Sequence, residues 1–130
     1  MAQVTPLMEC GDGYYRADDG SWGKSPVAKT AAYTVKATEA GTVFTNEAAT
    51  GSVTFTLPTP QKGLWYTFVK HEPQYNIVLQ APTSVKINYG TAAQKYQCTT
   101  TTDQATVTIL GISTTEYVVV AEKGTWSNSA

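Results

Sequence analysis

Apolar residues at every second position run through the middle of the chain. In Gly51-Ser52-Val53-Thr54-Phe55-Thr56-Leu57-Pro58, the apolar Val53, Phe55 and Leu57 alternate with Thr54 and Thr56. A period of two puts these sets on opposite faces of a strand. Pro58-Thr59-Pro60-Gln61-Lys62-Gly63 cannot continue a ladder and reads as a turn. Leu64, Tyr66 and Phe68 then resume the alternation. The pair predicts a β-hairpin with a wet face and a dry face.

The rest of the domain reads the same way. Strands are expected at Tyr33–Ala37, Thr42–Thr45, 52–57, 64–70, Tyr75–Gln80, Val85–Asn88, Lys95–Thr99, Ala105–Leu110, Glu116–Ala121 and Thr125–Trp126. Turns or loops are expected at Glu39–Gly41, Asn46–Gly51, His71–Gln74, Ala81–Thr83, Thr100–Asp103, Gly111–Thr115 and Lys123–Gly124. Short strands at this spacing predict an all-β fold, an antiparallel β-sandwich or jelly-roll-like domain over residues 31–130. Its expected core is Val53, Phe55, Leu57, Leu64, Tyr66, Phe68, Ile77, Leu79, Ile87, Val107, Ile109, Val118 and Val120.

Residues 1–30 break the pattern. They hold Pro6, Pro26, Gly11, Gly13, Gly20 and Gly23 and no sustained apolar period. Tyr14-Tyr15-Arg16-Ala17-Asp18-Asp19-Gly20-Ser21-Trp22 reads as a small hairpin turning on Asp-Asp-Gly. Such a hairpin is unstable alone, so Tyr14, Tyr15 and Trp22 need a surface to pack on. The segment is expected to be an N-terminal arm, with residues 23–29 as its linker.

Composition narrows the function classes. Of 130 residues, 42% are hydrophobic and only 15% charged, and the net charge is −1. Nucleic acid and anionic membrane both call for a basic patch, and the nine basic residues are scattered, so neither is an expected partner. The polar residues are mostly Thr, Ser, Asn and Gln, which are cheaper to bury against a partner than Lys or Glu. Met1 to Pro6 lacks the basic and apolar regions of a signal peptide, and the apolar run Tyr117–Ala121 is too short to span a membrane. Synthesis in the cytoplasm without export is expected. Cys98 is expected to be a buried thiol, and for Cys10 an intersubunit disulfide stays open against the compartment argument.

Candidate chemistry is sparse. His71, beside Glu72 and Pro73, has no nucleophile or carboxylate motif converging on it and reads as a surface histidine. Asp12, Asp18 and Asp19 do not match a calcium loop and read as turn residues. No catalytic residue, metal site or cofactor is expected, and the chain does not read as an enzyme. Trp22, Trp65 and Trp126 offer a different reading, since an exposed indole can stack on a sugar ring. Trp65 lies on the face opposite Leu64, Tyr66 and Phe68, where it either packs on another subunit or the arm, or serves as a glycan platform.

The run from Gly41 to Pro58, followed by Gly63-Leu-Trp-Tyr-Thr-Phe-Val69 and the terminal Gly124-Thr-Trp126, resembles a β-domain of tailed-bacteriophage virion proteins. The resemblance covers about residues 33–127. In the arm, Thr5-Pro6-Leu7-Met8 and Tyr15 to Gly20 are similar to a segment of lambda-type head decoration proteins. The resemblance implies a capsid decoration (cement) protein on the virion head surface. Such a protein binds the major capsid protein and stabilises contacts between capsid subunits, with a homotrimer expected. Met8, Tyr14, Tyr15 and Trp22 are then the expected capsid contacts, and Trp65 an intersubunit or glycan-facing residue. The other virion role it implies is a tail-fibre or baseplate module binding a host surface glycan.

Overall fold

From residue 27 to residue 111, consecutive strands alternate between two sheets. The computed structural model describes the backbone at residues 8–9, 14–16, 22–98 and 104–129, and side chains at 25–98 and 104–129. Strands β4 (Val27–Ala28), β6 (Val43–Thr45) and β8 (Trp65–Val69) pair in parallel in one sheet. The intervening β5 (Tyr33–Thr34), β7 (Val53–Thr56) and β9 (Ile77–Gln80) pair in parallel in the other. The chain therefore winds in coils of two strands. Phe44 pairs with Phe68 and Val53 with Ile77, each 24 residues further on.

The C-terminal part closes both sheets. Strands β12 (Thr106–Gly111) and β13 (Glu116–Lys123) extend the first sheet antiparallel, and β10 (Lys86–Ile87) adds a parallel edge. Strands β11 (Lys95–Cys98) and β14 (Trp126–Ser129) extend the second sheet antiparallel. The result is a six-stranded sheet, order β10-β13-β12-β8-β6-β4, and a five-stranded sheet, order β14-β11-β9-β7-β5.

The all-β expectation holds, and two expectations are corrected. The two sheets layer as in a sandwich, but they are mixed, with parallel ladders beside antiparallel ones, so the purely antiparallel pairing is not the arrangement found. The strands at 52–57 and 64–70 form, but not as a hairpin, because β7 and β8 lie in different sheets. The reason lies in the connection. Pro58 and Pro60 fix φ and remove two donors, which disfavours a tight hairpin turn, and the segment crosses from one layer to the other. It is tied there by Tyr117 Oη donating to Pro58 O (2.8 Å) and Gly63 N donating to Gly111 O (3.0 Å). Gly111 is required at this crossing, since a Cβ there would lie 2.3 Å from Gln61 O.

The two inner faces meet in an aromatic core. Phe44 and Phe68, in-register neighbours, stack at 5.6 Å between centroids. Phe55 of the opposite sheet packs on both, at 5.4 and 5.0 Å. Of the expected core, Val53, Phe55, Leu57, Tyr66, Phe68, Ile77, Leu79, Ile87, Val107 and Ile109 are buried, and Leu64 packs partly buried against them. Val118 and Val120 are not core. A bulge between Thr108 and Ile109 changes the alternation on β13, so Tyr117 points inward and Val120 is 55% exposed.

At the N-terminus, β2 (Tyr14–Arg16) pairs antiparallel with β3 (Trp22–Lys24), the expected hairpin strands. β1 (Met8–Glu9) adds a third strand that the sequence pattern did not announce. The Asp-Asp-Gly turn, Cys10, Asp12 and the polar loop expected at Thr100–Asp103 lie outside the described residues. The expected linker is shorter than 23–29, because Trp22–Lys24 and Val27–Ala28 are strands and β4 already belongs to the six-stranded sheet.

Candidate functional site

Among the described residues, the larger sheet has six strands, and its outer face could meet a partner. Alternation along β6, β8 and β12 sends Phe44, Tyr66, Phe68, Val107 and Ile109 inward and the residues between them outward. The register then builds three rows across the sheet. Trp65, Leu110 and Val118 form the first row, and Val43, Thr67, Thr108 and Ala121 the second. Thr45, Val69, Thr106 and Lys123 form the third. Lys123 is the one charged residue in the three rows.

Trp65 is 43% exposed at the head of this face, as its position opposite Tyr66 and Phe68 predicts. Its row neighbours Leu110 and Val118 are apolar, and the nearby Thr67 hydroxyl is bonded to that of Thr108 at 2.9 Å. A sugar platform needs hydrogen-bonding groups beside the ring. This row supplies apolar area instead. Trp126 is no platform at all. It is 6% exposed, stacks on Tyr96 at 6.0 Å and donates its indole N–H to Lys123 O. Its flanking residues, Thr125 and Ser127, are polar, and nothing in that short stretch signals burial.

The N-terminal residues Met8, Tyr14, Tyr15 and Trp22 fall on the small three-stranded sheet. Met8, Arg16 and Trp22 share one register row, and Glu9, Tyr15 and Gly23 the next, with Tyr14 opposite Lys24.

His71 is a surface histidine, as expected, but the turn it sits in is built around a residue that the sequence reading passed over. Asn46 is fully buried. Its Oδ1 accepts from His71 N (2.6 Å) and Glu72 N (3.0 Å), and its Nδ2 donates to Tyr75 O (3.1 Å). Asn46 thereby fastens one coil's turn to the next. Glu72 returns the contact, accepting from Ala48 N at 2.8 Å, where Ala48 adopts a left-handed φ of 67°. That backbone donor, aided by His71 Nδ1 at 3.2 Å, holds the Glu72 carboxyl below its ordinary range. This cluster is a structural clasp. Among the described residues no three His, Cys, Asp or Glu side chains gather as a metal site.

Other polar groups inside the domain are also engaged. Cys98 is a buried thiol on β11, as expected. Lys70 is fully buried at the end of β8, where its backbone bonds to Ala105 and Gln104. Tyr33 donates to Glu39 at 2.6 Å, Tyr66 to Lys36 O at 2.9 Å and Tyr96 to Glu122 at 2.6 Å. Burial pushes the Tyr66 phenol up to about 12, and moves Tyr96 and Tyr117 in the same direction. No protein-family model and no curated protein sequence matches the chain.

Proposed function

We propose that the chain is a phage virion structural protein, a capsid decoration protein acting as a homotrimer on the head surface. In this reading the outer face of the six-stranded sheet packs on a neighbouring copy. The N-terminal segment, with Met8, Tyr14, Tyr15 and Trp22, reaches a major capsid subunit as an arm and strengthens contacts within the shell. The observation that carries it is the face itself. Its three rows present Trp65, Leu110, Val118, Val43 and Val69 among threonines, with Lys123 as the single charge. Depletion of charge around an aromatic centre is the compositional mark of an interface core.

The glycan-binding fibre reading uses the same Trp65 and is weakened by its apolar row neighbours. One set of measurements separates the two. Light scattering of the intact chain is expected to give near three times its 14.0 kDa. Trp65→Lys is expected to give the single-chain mass with the fold retained, and Trp22→Ala to leave the trimer intact. Trp22→Ala is also expected to lower co-sedimentation with undecorated capsid shells by about 2 kcal/mol, the range of interface hot spots. A parent chain that stays monomeric at high concentration and does not sediment with shells overturns the proposal.

A further inference from the structure

Tyr89 stands apart from every other aromatic side chain described. It is 84% exposed, twice the exposure of Trp65 at 43%. Its backbone is also in the left-handed region, at φ 65°, directly after Asn88 at φ 50°. Asparagine tolerates that conformation, whereas a bulky residue does so only at a cost in free energy.

The turn that imposes this conformation is held from several sides. Asn88 N donates to Tyr117 O (2.9 Å), Gly90 N to Ile87 O (3.0 Å) and Ala93 N to Val85 O (2.9 Å). Asn128 Nδ2 donates to Ile87 O at 2.9 Å, and Thr91 N donates to Gln94 Oε1 at 2.9 Å. Gly90 passes so close to Asn128 that a Cβ there would lie 2.3 Å from Nδ2. The turn is therefore fixed, and it sets Tyr89 clear of the surface.

Within the chain Tyr89 returns nothing for this. Tyr33, Tyr66, Tyr96 and Tyr117 each donate their hydroxyl to an internal acceptor. Tyr89 makes no side-chain hydrogen bond among the described residues. The strained backbone opposes folding and the exposed ring contributes nothing to it, and together on a rigid turn they point to a contact outside the chain. A rigid aromatic loses little entropy on docking, which favours it as an anchor.

The chemistry of the tip says what it fits. Residues 87–94 carry no charge, so neither nucleic acid nor an anionic membrane suits them. A sugar ring stacks on an aromatic lying in a surface, whereas this ring projects. A projecting phenol fits a protein recess with apolar walls and a hydrogen-bond acceptor within reach of the hydroxyl. We infer that Tyr89 is an anchor that inserts into such a recess on the major capsid subunit, a second contact beside the arm. The identity of the partner rests on the capsid reading above.

The test is binding of the intact chain and of Tyr89→Gly to undecorated shells, with thermal melting of each protein alone. Tyr89→Gly is expected to bind about thirtyfold more weakly or worse, equivalent to about 2 kcal/mol at 1.4 kcal/mol per decade. The loss should be the same at low and high salt. Its melting temperature should equal or exceed that of the parent, because glycine relieves the left-handed strain. Tyr89→Gly binding as tightly as the parent overturns the anchor and leaves the capsid reading standing. A parent chain that does not bind shells overturns the capsid reading and the assigned partner together. A clear drop in melting temperature for Tyr89→Gly overturns the premise that Tyr89 contributes nothing to the fold.

Discussion

Replacing Asn46 with alanine tests how the coils are held together. Asn46 makes three well-placed hydrogen bonds to the next coil's turn, at 2.6, 3.0 and 3.1 Å, while a contact to Glu72 O at 3.5 Å adds little. At a net contribution of about 0.5–1.5 kcal/mol each, the three sum to about 1.5–4.5 kcal/mol. The released groups belong to a turn whose His71 side chain is exposed, so water can replace part of the loss and the lower half of that range is expected. For a chain of this size, that corresponds to a fall in melting temperature of about 10 °C. Urea denaturation followed by circular dichroism gives the free energy, and amide exchange at His71 and Glu72 locates it. Asn46→Asp keeps both acceptor contacts but turns the donor into a second carboxylate oxygen, fully buried and facing Tyr75 O, so it should cost at least as much as alanine. A loss under about 0.5 kcal/mol for Asn46→Ala, within the range of ordinary surface changes, would refute the clasp. A clearly smaller loss for aspartate than for alanine would place the stabilisation in the Oδ1 acceptor alone.

Two further outcomes follow from the core. Phe68→Ala removes a ring stacked on Phe44 and packed on Phe55, and should cost about 3–5 kcal/mol, against under about 0.5 kcal/mol for the outward Thr54→Ala; equal losses in denaturation would mean the faces are misassigned. The buried tyrosines set an alkaline limit: their folded pKa values lie above the ordinary 10.0, Tyr66 at about 12, so their contribution is complete below pH 10 and is lost as pH rises through about 12. A melting temperature that falls well before pH 10 would contradict this.

The alternation at Val53, Phe55, Leu57 and at Tyr66 and Phe68 told correctly which side chains face inward. It could not tell which strand lies beside which. Period two fixes the face of a strand and leaves its neighbour undetermined. The same pattern fits a hairpin partner and a parallel partner 24 residues away, and here the second is realised. Asn46 and Tyr89 were missed for a related reason. Asn46 sits in a stretch that reads as a loop, and nothing local separates a buried asparagine with its bonds met by a distant turn from a solvated one. Tyr89 directly follows the strand expected at Val85–Asn88, and its left-handed backbone is imposed by Tyr117 and Asn128, far away in sequence. Val120 was misjudged because a bulge shifts register without leaving a mark in the hydrophobic pattern.

Threonine and valine on the outer face of the six-stranded sheet are not in themselves a sign of a partner. Both suit a pleated, half-buried surface and are favoured in strands on that ground alone. The missing charge is more informative. A lysine on an exposed strand face costs folding little, because its stem can lie along the sheet while the ammonium stays in water. Folding therefore does not require the middle of this face to be neutral. Charges do occur at its margin, where Lys86 lies opposite Glu116 and Lys123 ends the third row. A neutral centre with a charged rim is the pattern expected of a surface shaped by docking, while strand propensity alone does not require it. Trp65→Lys separates these two causes. Trp65 is already 43% exposed, so a lysine there should leave the melting temperature of the isolated chain nearly unchanged. In an oligomer that buries this face, the same change puts an unpaired ammonium in the interface core, and its desolvation penalty of several kcal/mol is enough to dissociate the copies. Loss of oligomer with retention of fold assigns the neutral rows to docking. Retention of both assigns them to strand propensity alone.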